Sequence, residues 1–342
     1  VIVLAALWLS SSVPWLAALL AAAAFVPLVG ELLGAGVNFN LLLPKSPSQN
    51  VIARPSTPGA TDHADGSQGE THPPASRPDV VIVAHYDTQW GSWLFAPWFR
   101  RLLQPFFFVA YAGLAGALVA IVLRWVFPGA SWVDAAVATT AIVLVVVGAF
   151  LFGAWLTGRP VPGANDNGSG VAVALALAER WMEEARSGEG VAVTPWFVFT
   201  GCEEVGLRGM HRFLADASLD PDTAFINIDN VGGGRLRYFL GEGMLAYQRY
   251  DAGLIELARS VSERYGGEVK PLKNWLLPTD GLLPAKAGYR AISFLAMNDD
   301  GMIPNYHWHT DTIEGVQRDV VELTERFVWD YVQQLGERSR AA

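Results

Sequence analysis

Two stretches of this sequence carry no charged residue: Leu102 to Leu123, and Ala135 to Leu156. As a helix, each is about 30 Å long, the thickness of a bilayer's hydrocarbon core. Soluble folds bury apolar helices, but two uninterrupted runs of this length read as a transmembrane hairpin over 102–156. The connector RWVFPGASWVD supplies Arg, Trp, Pro and Gly, the residues of an interfacial turn. Composition agrees, since 17% of residues are charged, below the roughly one quarter of soluble domains.

Residues 1–12 and 14–33 are also apolar, broken by SSSVP, and the second run is long enough to span. The chain opens on Val and is apolar at once, which predicts transmembrane helices over 1–43 with the first cut short. A signal peptide is the competing reading, but the second run exceeds a signal core and lacks a basic start. The expectation is therefore a multi-pass integral membrane protein. Arg100, Arg101 and Arg159 flank the hairpin on one side and Arg124 on the other. Positive-inside asymmetry then favours a cytoplasmic position for the segments outside the hairpin, but the side of the membrane they face stays open.

Those segments, 48–93 and 160–338, read as one interrupted domain. QNVIARP and DVVIVAHYDT are strands. Residues 55–78 are rich in Pro, Gly and Ser without an apolar period and read as a flexible loop, in which His63 and His72 are solvated. Beyond Val161, the segments SGVAVALALAERWMEEAR, GLRGMHRFLADA, 250–265 and EGVQRDVVELTERFVWDYVQQL are helices. VTPWFVFT, TAFINID, RLRYFLG and RAISFLA are strands. Alternation of this kind predicts a three-layer α/β/α sandwich with a mostly parallel mixed sheet.

A formal net charge of −9 argues against a nucleic-acid partner. With one cysteine, Cys202, and six histidines, any metal site must draw on His, Asp and Glu. In open α/β sheets functional groups collect at the carboxyl ends of strands. AHYD, GCEE, NIDN and NDDGMIPNYHWHTD sit at or beyond such ends, and GANDNGSG opens a helix. Together they form a cluster of oxygen and imidazole donors suited to zinc or a similar divalent ion. Spacing alone leaves open whether His307, His309 or both bind.

The order HYD, GANDNGSG, CEEVGLRG, NIDN and YHWHTDT resembles the co-catalytic di-zinc aminopeptidases of metallopeptidase clan MH. That group also holds glutamate carboxypeptidase II-like enzymes, single-zinc glutaminyl cyclases and inactive relatives. The resemblance covers roughly 48–90 and 160–335 and excludes the apolar helices. It implies two zinc ions. His85 and Asp229 would hold the first, Glu204 and a C-terminal histidine the second, with Asp166 bridging. It implies a cis peptide at Asp166–Asn167, orientation of His85 by Asp87, and Glu203 as general base. The family pattern, His then three residues then Asp-Thr, gives His307 as the last ligand. Tyr306 before it would donate to the oxyanion. Two zincs about 3.5–4 Å apart sharing a water, with a carboxylate beside it, suffice for peptide hydrolysis.

The expectation is a membrane-anchored zinc aminopeptidase acting on peptide N-termini, with a peptide substrate and a lipid bilayer as partners. Its alternatives are a glutaminyl-cyclase-like acyl-transfer enzyme and a non-catalytic scaffold. Cys202 reads as a buried, inert thiol, and PTDG with Asp280 resembles a pocket loop. Because the hairpin lies between His85 and Asp166, an even number of crossings is required for these ligands to meet. A substrate presented close to the bilayer follows from the same placement.

Overall fold

The computed structural model describes residues 1–32, 46–54, 79–187, 193–243, 246–275 and 278–341. The loop expected over 55–78, with His63 and His72, lies outside them. In chain order come α1 (Ile2–Leu9), α2 (Pro14–Leu32), β1 (Val51–Ala53), β2 (Asp79–His85), β3 (Trp90–Gly91), α3 (Leu103–Val126), α4 (Ser131–Thr157) and β4 (Arg159–Pro160). Then follow α5 (Gly170–Ser187), β5 (Thr194–Thr200), α6 (Arg208–Asp216), β6 (Ala224–Ile228), β7 (Arg235–Glu242) and β8 (Gln248–Arg249). The chain closes with α7 (Ala252–Arg264), β9 (Lys270–Asn274), α8 (Leu282–Lys286), β10 (Arg290–Met297) and α9 (Arg318–Ala341). It divides into two compact units, Val1–Ser46 with Trp90–Pro160, and Pro47–Gln89 with Val161–Ala342.

In the first unit, two helical stretches, Arg100–Val126 and Ser131–Thr157, are long and apolar enough to cross a membrane. The apolar part of α2, Pro14–Pro27, is shorter. Small residues let α3 and α4 approach closely. Ala110, Gly113, Ala117 and Ala120 are buried on α3, and a Cβ on Gly113 would lie 3.2 Å from both Leu144 and Val143 of α4. Ala6 and Leu7 of α1 and Ala17 and Ala21 of α2 join Ala117, Ile121 and Leu144 in one apolar cluster. The N-terminal helices and the hairpin, separate in the sequence, thus pack as one bundle. Phe108, Val119, Ile142 and Val146 point outward and exposed. Between the helices, Arg124 pairs with Asp134 and donates to Ser10 Oγ at 3.2 Å. β3 and β4 pair antiparallel, Trp90 with Pro160 and Gly91 with Arg159.

The second unit is built on one mixed sheet in the order β1-β5-β2-β6-β10-β7-β8, with β9 pairing β7. Its centre, β5-β2-β6-β10, is parallel. β10–β7, β1–β5 and β7–β8 are antiparallel. Side chains alternate between the faces of a strand, and β2 shows this directly. Val80, Ile82 and Ala84 pack with α5, α7 and α9, while Val81 and Val83 pack with α6 and α8. Helices cover both faces, as buried parallel strands require. β9 escapes prediction because KPLKN is an edge strand with Pro, two Lys and mostly exposed residues.

Candidate metal centre

The parallel strands end along one edge of the sheet and deliver the donors there. His85 is the last residue of β2, held beside β5 by the Tyr86 N–H to the Thr200 carbonyl at 3.0 Å. Asp229 follows β6, its N–H bonded to the Phe294 carbonyl of β10 at 3.1 Å. Glu203 and Glu204 lie in the turn after β5, Asp166 in the turn before α5, and His307 in the loop after β10. α5 can start against the end of β6 because residue 170 is glycine. A Cβ there would collide with the Ile228 carbonyl oxygen.

The five expected ligands converge, although His85 and His307 are far apart in sequence. His85 Nε2 lies 3.3 Å from Asp166 Oδ1 and 3.4 Å from Asp229 Oδ1. His307 Nε2 lies 3.1 Å from Asp166 Oδ2 and 3.1 Å from Glu204 Oε2. Asp166 thus turns one oxygen to each histidine. The peptide between Asp166 and Asn167 is cis. Adjacent Glu203 and Glu204 diverge. Glu203 groups with His85 and Asp229, Glu204 with His85 and Asp166. Cys202, at a φ of 57°, starts this turn. It is half-buried rather than buried, which corrects the expectation of a sequestered thiol, and it joins neither donor group.

Much of the support was not read from the sequence. Asp87 lies 3.7 Å from His85 Nδ1 through its Oδ1, and its backbone carbonyl is 3.1 Å from the same nitrogen. The Asp87 carboxylate also accepts from the N–H groups of Glu203 at 3.0 Å and Glu204 at 3.2 Å. One residue therefore supports both the ligand ring, through its carbonyl, and the Glu-Glu turn, through its carboxylate. Asp311, used in the sequence only to set the register of His307, accepts from the N–H groups of Asn165 at 2.8 Å and Asp166 at 3.0 Å. Gln89 donates to Glu204 Oε2 at 3.0 Å. Asn165 and Asn167 tie the Asp166 turn to Gly232 and Asn230. Apart from the orientation of His85 by Asp87, which the family resemblance implied, nothing in the sequence marks these contacts, because they depend on groups that are distant along the chain.

Burial and mutual charge set the ionisation. Burial opposes charge on His85 and His307, but the surrounding carboxylates outweigh it. His85 is held well above its ordinary range and His307 is raised to about 9. Burial opposes ionisation of Asp166 too, yet the two imidazoles lower its pKa. Burial, with neighbouring carboxylates, raises Glu203 and Glu204. So many like charges in a dry site need a cation. Glu204 Oε1 is buried without a hydrogen-bond partner, as an oxygen reserved for one would be. Three carboxylates and two imidazoles are the hard and borderline donors that zinc takes. The residues fit the group.

The Tyr306 ring stacks on the His307 ring at 3.7 Å, and burial with the nearby carboxylates keeps its hydroxyl protonated. His309 is exposed, its ring against Trp308 at 4.3 Å. Asp280 is buried and accepts from the Thr200 hydroxyl. Burial raises its pKa to about 7.

Residues 146–332, just over half the chain, match the model of peptidase family M28. The match includes Asp166, Glu203, Glu204, Asp229 and His307 but begins after His85 and Asp87. A probable lipoprotein aminopeptidase of Mycobacterium tuberculosis, LpqL, is 25% identical over 185 residues, 46% of this chain and 36% of that protein. Glutaminyl cyclase of Bacteroides thetaiotaomicron shares the fold at a TM-score of 0.50, with 13% identity over 76% of this chain and 74% of that one. A zinc aminopeptidase from Bacillus subtilis superposes with a TM-score of 0.47 and 18% identity, over 84% of this chain and 49% of that one. The chain therefore spans only about a third of the curated relative and half of the Bacillus enzyme.

Proposed function

The chain belongs to peptidase family M28, and we propose that it is a membrane-anchored, multi-pass zinc aminopeptidase of the di-zinc type. The observation that carries this reading is Asp166, with its two oxygens facing His85 and His307. A bridging carboxylate between two histidine-bearing sites is what a pair of ions needs. His85 and Asp229 would hold one zinc, Glu204 and His307 the other, with Asp166 shared. Zinc in this site supplies Lewis acidity, acidifying water and drawing charge from the scissile carbonyl.

The chain's own residues do the rest. Glu203, whose pKa burial has raised, takes a proton from the attacking water and passes it to the leaving amine. Tyr306 donates its hydroxyl hydrogen to the oxygen that gains charge. Asp87 keeps Glu203 and Glu204 apart by holding both N–H groups. The substrate is a peptide with a free N-terminus presented near a bilayer, which the two apolar helices support.

Zinc per chain and release of N-terminal residues from aminoacyl and dipeptide substrates test the reading. Two zincs and hydrolysis are expected. Glu203→Ala should keep both ions and lower kcat by about a hundred- to ten-thousand-fold. One zinc without hydrolysis would instead favour the acyl-transfer alternative. Full activity in Glu203→Ala would sink the mechanism.

A further inference from the structure

Below the donor-bearing edge of the sheet, the second unit holds a buried layer of hydrogen-bonding side chains that the proposed reaction does not use. Val198, Phe225, Ala291 and Leu295 pack on the face covered by α6 and α8. Alternation places Thr200, Asn227 and Ser293 on that same face, and all three are buried. Each neighbours a candidate donor. Thr200 lies opposite His85 in the β2–β5 register, and Asn227 is two residues before Asp229. Ser293 lies opposite Asn227, and the carbonyl of the next residue, Phe294, accepts from the Asp229 N–H.

The loop before α8 closes over this layer. Thr279 Oγ1 accepts from Asn227 Nδ2 at 3.0 Å, and Asp280 accepts from the Thr200 hydroxyl. Residue 281 is glycine, since a Cβ there would collide with the hydroxyl oxygens of Ser293 and Tyr250. Glu203 lies within reach of the loop's charge, because burial first and then carboxylates that include Asp280 raise its pKa. Glu242, fully buried at the end of β7, fastens the loop from the other side. It accepts from the Tyr250 hydroxyl at 2.7 Å, the Thr279 N–H at 3.2 Å and the Thr279 hydroxyl at 3.1 Å. The Tyr250 hydroxyl is also 2.6 Å from Ser293 Oγ. Methyl groups would fill such a layer without desolvating polar atoms. What hydrogen bonds add is direction, because a satisfied network admits one arrangement of its members. Here the members include the strand ends that carry Asp229 and lead to Glu203.

We propose that Glu242 is a positioning residue for the metal centre, fixing through Thr279 the strand ends that set Asp229 and the Glu203 turn. The proposal rests on the zinc-peptidase reading of the site and adds a residue to it.

The test loads the full chain with cobalt(II), whose visible bands report ligand geometry, and separately with zinc for turnover of a soluble aminoacyl substrate. Glu242→Leu should keep its metal content yet shift the cobalt bands. In the zinc form its kcat, per folded and metal-loaded chain, should fall by roughly tenfold to a hundredfold with KM unchanged. Glu242→Gln, neutral and of the same shape, should restore the bands and most of kcat. Thr279→Val, which removes only the hydroxyl, should reproduce the loss. Combining it with Glu242→Leu should cost little more, because one residue acts through the other. If Glu242→Leu does not fold, Thr279→Val decides. Unchanged bands and kcat in the folded variants overturn the proposal. So does a loss that vanishes once corrected for folded, metal-loaded chain, a loss confined to KM, or an equal loss in Glu242→Gln. A wild type that binds metal but hydrolyses no aminoacyl substrate overturns the peptidase reading, while the cobalt bands still judge Glu242.

Discussion

A carboxylate offers two oxygens, and at Asp166 each faces a different histidine. This is why His307 and His309, interchangeable by spacing, are not equivalent. His307 is 3% exposed and within 3.1 Å of two carboxylates, whereas His309 faces solvent. His307→Ala should lose one zinc by metal analysis and His309→Ala none. Equal loss would mean the wrong histidine carries the site. Away from the metal centre, Glu242 is fully buried and accepts from Tyr250, at 2.7 Å, and from Thr279. Burial lifts its pKa from 4.5 to about 8. The folded state therefore keeps a proton that the unfolded chain releases, so stability falls with rising pH across that interval. Glu242 contributes fully below pH 4.5 and loses that contribution as pH passes about 8. Denaturant midpoints of zinc-loaded wild type should drop relative to Glu242→Gln as pH rises through this range. A constant difference would show that Glu242 is ionised when folded. The five candidate donors and Glu203, which the fold brings together, were legible from their motifs. Asp311, Gln89 and Glu242 were not, because their partners are backbone N–H groups or side chains remote along the chain.

Among the elements, the long ones were legible and the short ones were not. β2, β5, β6 and β10 are continuous apolar runs because both faces of a parallel sheet are buried. β8 is two residues long and β9 lies at an edge, too short or too polar to leave a pattern. In the first unit the sequence showed helix length but not helix contact. At Gly113 α4 comes close, since a methyl group placed on it would lie 3.2 Å from both Leu144 and Val143. Gly113→Leu should destabilise the detergent-solubilised bundle by about 1–3 kcal/mol through overpacking, while Gly148→Leu, whose Cβ would meet nothing, should be close to neutral. Thermal unfolding of the two variants side by side checks this, and equal shifts would place the α3–α4 contact elsewhere.

For the whole molecule, the insertion between His85 and Asp166 is the main departure from an ordinary α/β enzyme. β3 pairs with β4, which brings Trp90 and Pro160, the two ends of the insertion, together. Replacing residues 94–158 by a short linker should preserve zinc binding and hydrolysis of soluble aminoacyl substrates, while slowing hydrolysis of peptides tethered to vesicles. Equal effects on both substrates would remove the link between the hairpin and substrate choice. The sequence by itself determined the helical hairpin, the parallel core strands and the set of donors, because apolar periodicity and residue chemistry are local properties. Only the tertiary structure decided that α1 and α2 pack on the hairpin, that Asp166 faces both histidines, and that Asp87 and Asp311 hold the ligand turns. Those are contacts between segments that meet only when the sheet edge assembles and the small-residue faces close, and no local pattern encodes which groups will then be within reach.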